Sequence, residues 1–212
     1  GIAGASDLAG KRAPHLVYGV TTENLAAYTK AALAKFLTEF PDIDGMQFRI
    51  RTVPPVSPLT EQVEDTVPAS GPPYASNEDL EQCDGLVMGS PTHFGNMPAA
   101  LKHFIDNTSP LWMSGALAGK PAAVLTASTS LHGGQETTLL TMMLPLLHHG
   151  MLIVGLPYTQ LELFRTRSGG TPYGASRLTD DIEAHPMTEE EHALCISLGQ
   201  RVAETAKKLT GT

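Results

Sequence analysis

The sequence is poor in charged residues, which make up only 17% of its 212 positions, against a usual share of about 25%. Lysine and arginine together number 14 and are scattered along the chain, and the net charge is −8. Nucleic acids and acidic membranes bind to faces rich in lysine and arginine, so both are poor candidates for partners. Apolar residues still account for 42% of the chain, which predicts a packed core and not disorder.

Cysteine is nearly missing, since only Cys83 and Cys195 are present and they lie far apart in the sequence. This pattern argues against a disulfide framework and a thiolate metal site, and it fits a reducing cytoplasm. No run reaches the roughly 18 apolar residues that a membrane span requires. We therefore expect a cytoplasmic protein without a bound metal, in which residues 1–12 are a tail or an expression remnant and 13–212 form one domain.

Hydrophobic periodicity predicts strands that alternate with helices. Short apolar runs indicate strands at 15–19, 46–52, 84–90, 122–127 and 151–156. Helical spacing and capping residues indicate helices at 24–40, from 76, at 97–107, at 135–149 and from 188. Two stretches rich in proline or glycine, 53–75 and 157–186, are predicted to be irregular. Strands joined by helices must be parallel and covered on both faces, so we expect a three-layer, doubly wound α/β domain.

Ligands of doubly wound domains bind outside the carboxyl ends of the strands, so the residues after each strand are the candidates for a site. Thr21 and Thr22 follow the first strand and lead into a helix, where free N–H groups can bind a phosphate. Simple capping of that helix is the alternative. The third strand is followed by PTHFGNM (91–97) and the fourth by STSLHGGQE (128–136).

The segment SPTHFGNM (90–97) resembles the SPTRFGNM segment of the WrbA family, which are flavodoxin-like NAD(P)H:quinone oxidoreductases. Other blocks of the family occur in the same order between about 83 and 176: LW with SGAL (111–117), GGQET (133–137), HHGM (148–151) and GGTPYGAS (169–176). The first half of the chain is less similar, but VYGVTTEN (17–24) resembles the VYGSTTGN opening of flavodoxins.

The resemblance implies a flavodoxin-like fold with five parallel strands in the order 2-1-3-4-5, assembled into a homotetramer. It implies FMN as cofactor, reduced by NADH or NADPH and reoxidised by a quinone, with no catalytic side chain because the flavin carries the chemistry. The implied FMN contacts are Thr21, Thr22 and Asn24 for the phosphate, and Thr92, His93, Phe94, Gly95, Asn96, Ser128, Thr129, Ser130, Leu131, His132 and Gly133 for the ring. His148 would reach the flavin across a subunit interface, and Trp112 would line the quinone pocket.

Two of these roles have simpler alternatives in the residues themselves. Trp112 could serve only in packing. The pair His148 and His149 at a helix end could bind a metal, but adjacent side chains point in different directions around a helix and the sequence suggests no third ligand. The pair could instead interact favourably with the dipole at the end of that helix.

The first loop departs from the flavodoxin pattern at three positions, where Val20, Glu23 and Leu25 replace a hydroxyl residue, glycine and threonine. Two donors to phosphate are thereby lost and a carboxylate is added, so we expect FMN affinity below the family norm. The alternative function is a flavodoxin-like protein with weakened or lost FMN binding that acts as an oligomeric scaffold or a regulatory protein.

Overall fold

The computed structural model describes residues 15–20, 47–53, 72–179 and 186–211. Within these ranges the strands are β1 (His15–Val20), β2 (Gln47–Thr52), β3 (Gly85–Pro91), β4 (Pro121–Ser128), β5 (Leu152–Ile153) and β6 (Ala175–Leu178). Their order is β2-β1-β3-β4-β5, with β6 also paired to β4. These strands pair in parallel, which confirms the predicted parallel sheet. The predicted order 2-1-3-4-5 is matched in part, because a sixth strand also pairs with β4.

The described helices are α1 (Asn77–Gln82), α2 (Ala99–Asp106), α3 (Ser109–Ser114), α4 (Gln135–His148), α5 (Glu162–Arg165) and α6 (Glu189–Thr210). Capping boxes begin α1 at Ser76 and α6 at Thr188. The sequence predicts the cap at Ser76 and the full capping box at Thr188. The predicted helix at 24–40 and most of the predicted irregular stretch 53–75 lie outside the described residues.

The core occupies both faces of the sheet, because successive side chains of a strand point to opposite faces. On β4, Leu125 and Ala127 pack in one cluster with Leu194 and Leu198 of α6. Val124 belongs to a second cluster, with side chains from α2, α3 and α4. The chain is thus a three-layer α/β domain of the flavodoxin type, as the sequence predicts.

The fifth strand differs from the prediction, because it is interrupted. Leu152 pairs with Pro121 at the start of β4, whereas Ala175 pairs with Leu125 farther along the same strand. Between them, the N–H group of Leu156 donates to Pro172 and not to β4. The prediction of one strand over 151–156 followed by irregular chain to 186 is therefore wrong, since β6 and α5 lie in that second stretch.

Three smaller differences concern helices. The sequence did not predict α3, whose Pro110 and small polar residues give a weak helical signal. Helix α2 is shorter at both ends than the predicted 97–107. Leu209, which was predicted to continue the apolar stripe of α6, is 54% exposed near the end of the helix. In the described part of the chain, no helix is long and apolar enough to cross a membrane.

Candidate functional site

The loops that leave β3 and β4 lie side by side at the carboxyl edge of the sheet. The N–H group of Thr92 donates to the carbonyl of Ala127 at 2.8 Å, and the hydroxyl of Thr138 on α4 lies 3.2 Å from that of Thr92. Thr126 donates its hydroxyl to the carbonyl of Ser90 at 2.8 Å. These bonds fix the bases of both loops to the sheet and to α4.

The loop after β3 makes a tight turn that presents an aromatic ring to solvent. Backbone hydrogen bonds join His93 and Asn96 in both directions, at 2.7 and 3.1 Å. Phe94 in this turn has a φ of 52°, the only positive value for a non-glycine residue in the described part of the chain, and it is 99% exposed. A strained backbone and a fully exposed phenyl ring are typical of a binding surface.

The loop after β4 contains backbone donors that have no acceptor among the described residues. Ser128 donates its hydroxyl to the carbonyl of Ser130, and the N–H group of Gly133 donates to the same carbonyl. Thr129, Ser130, Leu131 and His132 form the exposed part of this loop, and their N–H groups donate to no other described residue. Four N–H groups are therefore available to a ligand with acceptor atoms.

The two loops touch through their backbones at a pair of glycines. Gly134 has a φ of 93°, and a Cβ atom at this position would lie 2.9 Å from the Cα of Gly95 and 2.9 Å from the hydroxyl of Thr137. Only glycine avoids both the strain and the clash. We call the loops 92–96 and 128–134 the carboxyl-edge cluster.

A second set of predicted site residues surrounds a cleft of about 360 Å³. The residues that line this cleft include Lys102, Asp106, Trp112, His148 and His149. Trp112 lies on α3 and is 53% exposed, while His148 is the last residue of α4 and is also exposed. We call Trp112 and His148 the amino-edge cluster.

His149 is a half-buried residue whose side chain joins the end of α4 to the start of α3. Thr108 donates its hydroxyl to the carbonyl of Ile105 at 2.6 Å, so Nε2 of His149, 2.8 Å away, must be the donor to that hydroxyl oxygen. Burial and, less strongly, the charge of His148 lower the pKa of His149. The ring is therefore neutral at pH 7, with Nδ1 as a buried acceptor that has no partner among the described residues.

The two clusters lie at opposite edges of the sheet within one chain. The N–H group of Gly119 donates to the carbonyl of Gly150 at 2.9 Å, which places the end of α4 beside the start of β4. The eight residues of β4 separate this edge from Ser128, a distance of about 23 Å at 3.3 Å per residue. One chain therefore does not bring Trp112 or His148 to Phe94.

The remaining predicted site residues, Thr21, Thr22 and Asn24, lie outside the described residues. Among the described residues, no three histidine, cysteine or acidic side chains are grouped as metal ligands would be.

A buried cation, Arg177, lies at the carboxyl edge, and the sequence patterns did not indicate it. Arg177 on β6 is only 4% exposed. Its only sequence signal is a cation between small and apolar residues directly after GGTPYGAS.

Comparison with known proteins identifies the family. The family model described as NADPH-dependent FMN reductase matches residues 17–163. The "NAD(P)H dehydrogenase (quinone)" of Acidithiobacillus ferrooxidans is 38% identical over 172 residues, which cover 80% of this chain and 86% of that protein. The protein of the same name from Trichlorobacter lovleyi is 43% identical over 140 residues, which cover 65% of this chain and 69% of that protein.

Solved structures give the same fold at lower identity. A "flavodoxin, WrbA-like protein" from Agrobacterium tumefaciens superimposes with a TM-score of 0.61 at 19% identity, covering 92% of this chain and 98% of that one. The flavoenzyme FerB from Paracoccus denitrificans has a TM-score of 0.58 at 16% identity, covering 91% and 97%. From the family match and the relatives together, the chain belongs to the NADPH-dependent FMN reductase family and has a flavodoxin-like fold.

Proposed function

We propose that this protein is an FMN-dependent NAD(P)H:quinone oxidoreductase of the WrbA type. The observation that carries the proposal is the carboxyl-edge cluster, where the N–H groups of four exposed residues donate to no described residue, beside the exposed ring of Phe94. The relatives named NAD(P)H dehydrogenase (quinone) support the same reaction.

The described residues fit the isoalloxazine ring of FMN. The polar edge of that ring carries carbonyl oxygens and ring nitrogens, which need N–H donors such as those of Thr129 to His132. Its flat face suits an aromatic side chain such as Phe94. The glycine contact between Gly95 and Gly134 keeps the floor of the cluster free of side chains, so a ring can lie close to the backbone.

FMN held by the loops 92–96 and 128–133 would supply the hydride-transfer chemistry that couples oxidation of NAD(P)H to reduction of a quinone. The side chains and N–H groups of this chain would bind the flavin, orient the substrates and shield the ring from water. The N–H groups of 129–132 would hold the polar edge of the ring and favour negative charge there. Phe94 would cover one part of the ring and restrict access of water. Trp112 would stack against the flat acceptor, and His148 would donate a hydrogen bond to an oxygen of the bound ligand.

The separation of the two clusters requires that Trp112 and His148 come from another copy of the chain. The surfaces near the amino-edge cluster are apolar: Leu140, Leu144 and Leu147 on α4 are each more than 40% exposed, as are Trp112 and Met113 on α3. Exposed apolar groups at helical spacing are typical of helices that pack against another subunit. We propose a homotetramer in which each flavin site is completed across an interface.

The cellular location that we propose is the cytoplasm. Cys83 and Cys195 are the only two cysteines of the sequence, and they form no disulfide with each other, which suits a reducing compartment.

We expect light scattering of the full chain at micromolar concentration to show four copies of the 22.5 kDa chain. Replacing Leu144 by glutamate should shift the species toward smaller assemblies, because a carboxylate would be buried without a partner. The matched change Leu209→Glu, at a leucine that is 54% exposed on α6 and outside both clusters, should leave the mass unchanged. A monomer at every concentration, with and without FMN, would contradict the assembly.

The function is tested by adding FMN to flavin-free protein and measuring the visible spectrum, followed by benzoquinone reduction with NADH or NADPH. We expect a bound flavin spectrum and turnover. Trp112→Ala should lower kcat/KM for the quinone by about tenfold, since stacking of an aromatic side chain contributes roughly 0.5–1.5 kcal/mol beyond the area that it buries.

The control is Leu209→Ala, which removes an apolar side chain that is 54% exposed on α6, outside the proposed interface and both clusters. Its kcat/KM should stay within a factor of about two, corresponding to the small effect expected of an ordinary surface substitution. An unperturbed FMN spectrum and no quinone turnover in the wild type would instead favour the scaffold function.

A further inference from the structure

Thr108 immediately precedes α3 and is buried, yet its side chain does not cap that helix. A threonine at this position normally accepts a hydrogen bond from an N–H group of the first helical turn. No such bond is present at Thr108. Its hydroxyl instead donates to the carbonyl of Ile105 and accepts from Nε2 of His149, which lies 41 residues later in the sequence. The side chain of Thr108 therefore joins two distant segments.

Helix α3 is short and buries little of its own surface. It contains six residues, of which only Leu111 is buried. A helix of this length is not stable by itself, so its position depends on its contacts with the rest of the protein. Trp112 on α3 and His148 at the end of α4 line the same cleft. The bond between His149 and Thr108 thus joins the two elements that carry the amino-edge cluster.

The ring of His149 lies between that cleft and a small apolar cavity. The cavity has a volume of about 30 Å³, and its described lining is apolar except for Thr108 and His149. Nδ1 of His149 is buried, so it does not face the open cleft, and it has no hydrogen-bond partner among the described residues. Protonation would therefore place a charge and an N–H donor in a buried position without an acceptor, which is unfavourable.

The charged groups near this ring lie on the side of the cleft. Lys102 and Asp106 on α2 line the cleft and pair with each other at 2.5 Å, and His148 is the neighbouring residue on α4. The described lining of the cavity contains no titratable side chain other than His149. A protonated His149 is stabilised when its ring turns away from the cavity toward Asp106 and solvent, and this movement breaks the bond to Thr108.

We propose that His149 is a positioning residue, whose neutral ring holds α3 against the end of α4 through Thr108 and so fixes Trp112 within the amino-edge cluster. The part of this inference that concerns the quinone rests on the proposed function, since Trp112 is assigned to the acceptor there. His149 itself contacts neither the flavin nor the quinone in this role.

The arrangement should depend on pH in one direction. Burial and, less strongly, the charge of His148 lower the pKa of His149 from its ordinary value of 6.5. The neutral ring and its bond to Thr108 are therefore stable above pH 6.5, and this contribution is lost as the pH falls from 6.5 through the lowered pKa. Acidification should release α3, whereas alkaline pH should leave its position unchanged.

Trp112 is the only tryptophan of the chain, so tryptophan fluorescence reports directly on α3. The emission maximum of the flavin-free full chain is measured from about pH 8 to about pH 5. We expect it to move to longer wavelength as the pH falls below 6.5, because a released α3 exposes the indole ring further to water. His149→Gln should remove this shift, since the amide of glutamine can donate to Thr108 and does not titrate.

Two further changes of histidine to glutamine serve as controls. His103→Gln alters an exposed histidine of α2, and His148→Gln alters the other histidine that lines the cleft. Both variants should keep the pH response of the wild type. An emission maximum of the wild type that does not depend on pH would overturn the proposal. So would a shift that survives His149→Gln, because another group or a change of assembly would then be its cause.

Turnover of the FMN-loaded enzyme tests the consequence for the quinone. At pH 7, His149→Leu and Thr108→Val should each lower kcat/KM for benzoquinone by about tenfold, because a displaced Trp112 no longer meets the acceptor in the right geometry. His149→Gln and Thr108→Ser keep the donor and the acceptor, so their kcat/KM should stay within about twofold of the wild type.

A double variant distinguishes positioning from general damage. In a Trp112→Ala background, His149→Leu should lower kcat/KM by no more than about twofold further, because a residue that acts through Trp112 adds little once Trp112 is absent. Losses that multiply in full would contradict the positioning role.

The fluorescence and the turnover experiments separate this inference from the proposed function. Wild-type protein that binds no FMN and reduces no quinone would reject the proposed function, while the emission of Trp112 would still test the bond between His149 and Thr108. Normal turnover, together with an emission maximum that responds neither to pH nor to Thr108→Val, would reject only the role of His149.

Discussion

Glu191→Ala should lower the free energy of unfolding by about 3–5 kcal/mol. The carboxylate of Glu191 is 1% exposed and accepts three backbone hydrogen bonds. Oε1 accepts from the N–H groups of Gly169 at 2.8 Å and Leu178 at 3.0 Å, and Oε2 accepts from Thr188 at 3.1 Å. Alanine would leave those donors buried without acceptors and would remove the contact that joins the start of α6 to β6. Urea unfolding followed by circular dichroism measures the change.

The matched control for this prediction is Glu189→Ala, which removes an exposed carboxylate from the same helical turn. Its effect should stay within about 0.5 kcal/mol. The free energy of unfolding of Glu191→Gln should lie between those of Glu191→Ala and Glu189→Ala. The amide oxygen of glutamine can still accept a hydrogen bond, whereas its nitrogen cannot. Equal stability of Glu191→Ala and Glu189→Ala would show that the three hydrogen bonds contribute nothing to folding.

Gly134→Ala should both destabilise the protein by about 2–4 kcal/mol and weaken FMN binding by at least about tenfold. Its φ of 93° is unfavourable for alanine, and the added Cβ would meet the Cα of Gly95 at 2.9 Å. Backbone cannot yield as a flexible side chain would, so the two loops of the carboxyl-edge cluster must separate. Chemical unfolding gives the loss of stability, and titration of the flavin-free variant with FMN gives the loss of affinity.

Gly119→Ala separates backbone strain from the steric clash. Gly119 has a φ of 77°, but nothing lies within 4 Å of a Cβ atom built there. It should show only the strain, about 1–2 kcal/mol, and bind FMN with wild-type affinity. FMN affinity that falls equally in both variants would contradict the assignment of the glycine contact to the flavin site.

The order of strands could be predicted from the sequence because the local signals agree with one another. Buried strands such as β3 and β4 are continuous apolar runs bounded by turn residues, and the caps at Ser76 and Thr188 satisfy both halves of a capping box. Each of these signals depends on residues close together in the chain. The resemblance to a known family then supplied the register of the site loops, which periodicity alone does not give.

The division of the fifth strand could not be predicted, because its cause is tertiary. Leu156 is as apolar as its neighbours, yet its N–H group bonds to Pro172, and Gly155 lies so close to Pro172 that a Cβ atom would be 2.5 Å from that carbonyl oxygen. The returning chain occupies the position that the strand would have used. Hydrophobic periodicity indicates which face of a strand is buried, but it does not indicate which segment accepts the backbone hydrogen bonds of that strand.

The site was also only partly readable from the sequence. The loops 92–96 and 128–133 were identified from the sequence, and they lie together in the structure. The position of Trp112 could not be predicted, because it depends on α2 leading the chain back to the other edge of the sheet. Arg177 was missed because the burial of a cation depends on the residues that pack around it, and these are distant in the sequence. The role of each predicted residue remains a prediction.

The interrupted fifth strand has a consequence for how this fold can diversify. Both ends of the excursion 157–174 are attached to the same strand, one at the start of β4 and one near its end. Residues can therefore be inserted or deleted between those attachments without shifting the register of the sheet, and the entropic cost of a longer loop rises only slowly with length. The segment 157–174 can therefore vary in length and sequence among related proteins, and so change the surface that it forms, while the sheet that carries the site loops stays the same.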